Sequence, residues 1–187
     1  MKKVGVLDLQ GGVEEHINLL DKIDNVESIR IKKAEQIDSI DALILPGGES
    51  TTMSKLIKKY NLSEKIKNFK GPIWGTCAGL ILLSKKIEND EKTETLKLLD
   101  ITVKRNAFGS QLNSFIKKEK ISVLQYPFEM VFIRAPIISK TNNNVEIIAK
   151  TNDKIVGIKQ GNIIGTSFHP ELTNDKSFHE YFLSLIK

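Results

Sequence analysis

The chain has 187 residues, of which 40% are hydrophobic and 27% charged, with 28 Lys and Arg set against 23 Asp and Glu for a net charge of +5. That is enough chain to bury one sizeable core as a single domain over residues 1–187, and the composition excludes a disordered protein. The longest uncharged stretch, residues 71–84, falls short of the ~20 residues that a membrane-spanning helix needs, and the positive charge is dispersed lysine without interleaved aromatics, so neither a membrane nor nucleic acid is expected as a partner.

In chain order, Val4-Gly-Val-Leu-Asp-Leu9 reads as a strand, Gly11-Gly12 as a turn, and Val13, Ile17 and Leu20 as the apolar stripe of a helix. A second strand is expected over residues 26–31 and a third over 42–45, ending in Pro46-Gly-Gly48 before a helix over 52–59. Residues 72–76 form a fourth strand that runs through Cys77 into an apolar helix over 78–83. Strands with apolar interiors alternating with helices indicate a parallel sheet covered on both faces. Beyond Leu99 the candidate strands are 101–104, 131–135, 145–149, 155–159 and 163–167, and Phe178, Phe182 and Leu185 mark a last helix that packs back on the sheet. Residues 86–97 and 142–144 read as polar surface loops.

The scarce residue types carry the chemistry. Cys77 is the one cysteine, so no internal disulfide forms. Lys2-Lys3 followed by an apolar run that Asp8 breaks does not resemble a secretory signal, and a cytoplasmic protein is expected. A lone cysteine is by default a small buried side chain. Here, however, Gly75-Thr-Cys-Ala-Gly79 joins a strand to a helix, the context of a nucleophile elbow, in which the Ala78 N–H faces a developing oxyanion and the helix start favours a thiolate. A tight strand-to-helix turn without chemistry explains the same five residues equally well. Of the three histidines, His16 and His179 lie in helices and read as packing or surface residues. His169 follows an apolar strand in Thr166-Ser-Phe-His-Pro-Glu171, and in an extended segment His169 and Glu171 project to one side, where the carboxylate would fix the imidazole tautomer. Pro46-Gly-Gly-Glu-Ser50 supplies backbone amides suited to an oxyanion hole, or a simple capped turn.

Three strand ends thus offer an amide-rich loop, a thiol in an elbow and a His-x-Glu pair. With Leu9-Gln-Gly-Gly12, Arg105-Asn-Ala-Phe-Gly109 and Phe132-Ile-Arg-Ala-Pro136, they make the chain resemble the class I, triad-type glutamine amidotransferases, and among them the glutaminase subunits of pyridoxal 5′-phosphate synthase. The resemblance implies an α/β, three-layer, flavodoxin-like fold with a mixed, mainly parallel central sheet. It implies Cys77 as nucleophile with His169 and Glu171, an oxyanion hole from Gly48 and Ala78, and L-glutamine held by Gly48, Glu49, Ser50, Arg105, Ile133 and Arg134. It implies no metal or organic cofactor, and as partner a (β/α)₈-barrel synthase in a large heteromeric complex, which takes the ammonia into pyridoxal 5′-phosphate (vitamin B6) biosynthesis. Such glutaminases are typically inactive until docked, and Gln10 with the Pro46–Gly48 loop is where docking would organise the oxyanion hole. The chain ends soon after its last helix, which leaves no room for a synthase of its own. One departure is Ser110, where relatives usually carry arginine, and it bears on partner contacts rather than on the triad.

Two of only three arginines, Arg105 and Arg134, fall in these motifs in a chain with 25 lysines, as expected where a carboxylate is gripped or a loop pinned. Structural ion pairs explain them too. A cysteine hydrolase of another class would share the elbow but has no need of the Pro-Gly-Gly-Glu-Ser loop. A nucleotide- or flavin-binding module is disfavoured because the first strand-to-helix turn lacks G-x-G-x-x-G.

Overall fold

The computed structural model describes residues 1–108 and 114–187; Gly109 and Ser110 lie outside the described residues. Strand β1 (Lys2–Leu7) leads to helix α1 (Val13–Leu20), β2 (Val26–Ile31), a 3-10 segment and β3 (Ala42–Leu45). Helices α2 (Ser50–Lys59) and α3 (Ser63–Asn68) precede β4 (Ile73–Thr76), α4 (Ala78–Leu83) and β5 (Ser84–Ile87). The second half is mostly strands: β6 (Leu99–Lys104), β7 (Ser114–Glu119), β8 (Phe128–Ile133), β9 (Ile137–Thr141), β10 (Glu146–Thr151), β11 (Lys154–Gln160) and β12 (Ile163–Thr166), closed by a 3-10 turn (Pro170–Leu172) and α5 (Ser177–Ser184).

Among the described residues, the main sheet runs β2-β1-β3-β4-β12-β11-β9-β6-β5, with β10 added on β11, and β7 and β8 form a separate antiparallel pair. Strands β2, β1, β3, β4 and β12 are mutually parallel, whereas β11, β9 and β10 introduce antiparallel pairings. The sheet is therefore mixed and mainly parallel with helices on both faces, as the resemblance implies.

Both faces of the central strands are buried, which is why they read as continuous apolar runs. In β3 the side chains alternate between two cores: Leu43 and Leu45 join Met53, Ile57, Ile66 and the α4 leucines, while Ala42 and Ile44 join Val13, Ile17, Trp74, Phe178 and Phe182. Helices α2, α3 and α4 thus cover one face, and α1 and α5 the other. No helix among the described residues is long and apolar enough to cross a membrane.

The segment expected as a free polar loop over 86–97 is tied down. It begins within β5, and Leu96 N–H donates to the Leu82 carbonyl while Ser54 Oγ donates to the Glu94 carbonyl. Helix α3 and strands β7 and β9 carry too few apolar residues to stand out in the sequence. The expected strand over 131–135 is instead the end of β8, because the chain breaks at Arg134, whose φ is 45°.

Because β1, β3, β4 and β12 are parallel and in register, with Leu45 beside Gly75 and Thr76 beside Thr166, their carboxyl ends emerge together. Ligand sites of open α/β sheets form at that edge.

Candidate active site

Cys77 joins β4 to α4 with φ 47° and ψ −97°, a left-handed backbone that costs a non-glycine residue about 1–2 kcal/mol and persists only where its surroundings enforce it. Its own N–H donates to the Thr166 carbonyl at 2.7 Å. Gly75 and Gly79 allow the turn to close. A Cβ on Gly75 would stand 2.5 Å from the Gly79 carbonyl carbon, and one on Gly79 would collide with the Leu45 carbonyl oxygen. Ala78 opens α4, so its N–H has no partner within the helix. The thiol is 8% exposed, and Sγ lies 3.9 Å from the Ile133 carbonyl oxygen.

His169 and Glu171 meet as expected, through a different backbone. Pro170 does not keep the chain extended; it starts the 3-10 turn Pro170–Leu172, because its fixed φ suits a first helical position. The turn folds Glu171 back so that His169 Nδ1 lies 2.7 Å from Oε1. Burial alone would push the His169 imidazole down, but Cys77 and Glu171 outweigh it and raise the ring to about 10. Glu171 likewise stays below the usual carboxylate range in spite of its burial, held there by His16 and His169. With the Glu171 carboxylate on Nδ1, the arrangement favours the protonated imidazole.

Two glycine loops close over this group. Gly11 has φ 101°, Gly12 N–H donates to the Gly47 carbonyl at 2.9 Å, and Gln10 Oε1 accepts the Glu49 N–H at 2.8 Å. Gly47 lies against the His169 ring, where a Cβ would run into Cε1 and stand 3.6 Å from Cys77 Cβ. A Cβ on Gly48 would meet Gln10 Oε1 at 2.5 Å. The Glu49 carboxylate caps α2, accepting the Thr51 and Thr52 N–H groups at 2.9 and 2.6 Å and the Thr52 hydroxyl at 2.6 Å, bonds that hold it down to about 2. The Glu49 N–H goes to Gln10 and its carbonyl accepts the Met53 N–H, so backbone and carboxylate together fix this residue at the start of α2.

Arg105 Nη2 donates to Ser50 Oγ at 2.8 Å and to Thr93 Oγ1 at 3.1 Å, and Nη1 pairs with Asp90 at 2.7 Å. Arg105 Nε is buried with no hydrogen-bond partner among the described residues. Arg134 is exposed beside the 42% exposed Ile133.

The strand ends therefore bring together Cys77, His169, Glu171, Gly48, Ala78 and Gln10, with Ile133 against the thiol and the Ser50–Arg105 pair on the Gly47–Gly48 loop. Sequence reasoning missed Asp90 and Thr93, which anchor Arg105, and it placed His16 and His179 apart from the site. Both are 0% exposed, 3.0 Å from each other, with His16 Nε2 3.6 Å from Glu171 Oε2. For His16 a signal existed: it lies three residues after Val13 and four before Leu20, on the buried stripe of α1. No spacing rule links His16 to His179, 163 residues later. Among the described residues no group of three His, Cys, Asp or Glu is arranged to hold a metal ion.

The chain is 53% identical to pyridoxal 5′-phosphate synthase subunit PdxT of Clostridium botulinum, over 98% of this chain and 96% of that one, and 52% identical to the Oenococcus oeni subunit over 99% and 97%. A glutamine amidotransferase crystal structure, 40% identical, superimposes with a TM-score of 0.93 over 98% of each chain. The PurLQS structure from Thermotoga maritima shares the fold alone, at 15% identity, TM-score 0.66 and coverage of 100% and 99%. Residues 6–187 match the SNO glutamine amidotransferase family, to which this chain belongs.

Proposed function

We propose that the protein hydrolyses L-glutamine to L-glutamate and ammonia through a γ-glutamyl thioester on Cys77, and delivers the ammonia to a synthase subunit that makes pyridoxal 5′-phosphate. The observation that carries this reading is the His169–Glu171 pair, Nδ1 2.7 Å from Oε1, at the same sheet edge as the strained Cys77 elbow.

Cys77 thiolate attacks the side-chain amide carbon of glutamine. The resulting oxyanion is received by the N–H groups of Ala78 and Gly48, and His169 gives its proton to the departing ammonia. Water, deprotonated by His169, then cleaves the thioester, releasing glutamate and restoring the thiolate–imidazolium pair. General acid–base help of this kind contributes ~10²–10⁴ in rate and one oxyanion donor ~10²–10³. Glutamine is bound by Gly48, Glu49 and Ser50, by Arg105 and by Ile133 with Arg134, and the dense bonding of Arg105 to Ser50, Thr93 and Asp90 favours a group held ready rather than a mobile surface charge.

Free ammonia would be protonated in water, so the reaction calls for a partner that consumes it directly. The PdxT relatives, named as synthase subunits, support a synthase as that partner; its barrel shape and a cytoplasmic setting follow from the family resemblance alone. Gln10, bonded to Glu49 and packed on Gly48, is the coupling point between docking and the oxyanion hole. The test is ammonia release from glutamine with and without the cognate synthase. Cys77→Ala is expected to lower it by at least about 10³-fold, and undiminished release would overturn the reading.

A further inference from the structure

A line of hydrogen-bonding groups continues from the site into the interior. His169 Nδ1 lies 2.7 Å from Glu171 Oε1, Glu171 Oε2 lies 3.6 Å from His16 Nε2, and His16 Nδ1 lies 3.0 Å from His179 Nε2. The last three residues are at most 5% exposed, so the line runs away from bulk solvent.

The unpartnered carboxylate oxygen selects among the tautomers. Glu171 Oε2 has no hydrogen-bond partner within 3.5 Å among the described residues, and a buried carboxylate oxygen needs a donor. His16 Nε2 faces it at 3.6 Å and also stands 3.3 Å from Thr76 Oγ1, and the tautomer with its proton on Nε2 is the one that offers the carboxylate a donor. Its Nδ1 is then an acceptor, and His179 must donate from Nε2. The bare nitrogen left over is His179 Nδ1, which is buried and unpartnered among the described residues. This pair of tautomers gives the His16–His179 contact one donor and one acceptor. Trp74 holds both rings edge-on, at 5.3 Å from His16 and 4.8 Å from His179.

We propose that His16 is a positioning residue for the Glu171–His169 pair, and that His179 locks the tautomer in which His16 serves. This rests on the catalytic reading of Cys77, His169 and Glu171 given above. The groups facing His16 are Glu15 on its own helix, Glu171 and His169 from the segment after β12, and His179 from α5. Burial pushes His16 down, Glu171 and Glu15 oppose this, and His169 reinforces it. His179 is also held neutral, by burial and by His16. The positive charge accordingly settles on His169, beside the thiol, and His16 aims a neutral N–H at the carboxylate.

The test compares three variants of the full chain. His16→Asn removes the donor aimed at Glu171, His16→Gln restores an amide N–H near the Nε2 position, and His179→Phe removes the tautomer lock. One readout is the pH dependence of Cys77 alkylation by iodoacetamide, which needs neither glutamine nor synthase; the other is kcat and KM for ammonia release with the synthase present. His16→Asn is expected to lower kcat about tenfold at little-changed KM and to shift the alkylation profile by about one pH unit, a unit being a tenfold change in protonation ratio. His16→Gln recovers most of both, and His179→Phe falls between. A folded His16→Asn protein with the wild-type profile and kcat overturns the proposal, as does a Gln variant no better than Asn. Should His16→Asn fail to fold by circular dichroism, a wild-type profile in His16→Gln with a shifted one in His179→Phe supports it, and the same profile in both overturns it. Absence of glutaminase activity in the wild type, with the alkylation shift intact, would sink the function alone.

Discussion

The two sides of Cys77 are built from different material. Behind it stand the parallel strands, the Gly79 contact with Leu45, and the line Glu171, His16 and His179, all buried. In front stand Ile133, Arg134 and Glu49, all exposed, with Arg105 half-buried. The rear side is core that also carries chemistry, so its residues contribute to stability and reactivity together. The front side is surface held in shape by a cap and an ion pair, so its residues can bind a ligand without supporting the fold.

That contrast breaks most readily at Gly79. Gly79→Ala drives a methyl into the Leu45 carbonyl, a backbone atom that cannot step aside, and is expected to cost about 3 kcal/mol or more of unfolding free energy in urea titration. A loss below about 1 kcal/mol would mean that the elbow has slack. Next comes acid. His16 and His179 have folded-state pKa values below 6.5, so below about pH 6.5 the unfolded chain binds more protons and stability falls with pH. Denaturant melts should show lower stability at pH 5.0 than at pH 6.5, and His179→Phe should reduce that difference. The smallest effect on stability belongs to the front. Arg134→Gly places a residue tolerant of φ 45° there, so stability should hold or rise by up to about 1 kcal/mol, while KM for glutamine rises. A Tm well below wild type would show that Arg134 supports the fold after all.

The sequence announced the parts of this protein that obey local rules. Strands β1, β3 and β4 appear as apolar runs because both their faces are buried, and the elbow appears because glycines two positions either side of Cys77 are what the turn requires. His169 and Glu171 were legible as a pair, although the turn that joins them was not, since Pro170 is compatible with an extended chain as well as with a 3-10 start. Strand β7, Ser-Phe-Ile-Lys-Lys-Glu, was invisible because it lies on an exposed hairpin and gains its order from pairing with β8. The role of Glu49 was half visible: its place in the loop could be read, but the commitment of its carboxylate to the α2 cap depends on backbone geometry. His16 and His179 illustrate the remaining limit. Each is a single polar residue on an apolar helix face, and their meaning arises only where two helices distant in sequence are brought side by side.

The bond from the Cys77 N–H to the Thr166 carbonyl has a consequence for how this site can vary. It pins the nucleophile to the strand that leads to His169, so the separation of the two is set by sheet register and by the short run from Thr166 to His169. The count of residues between that carbonyl and the histidine is not free, because one more or one fewer would turn the imidazole away from the sulfur while leaving the sheet intact.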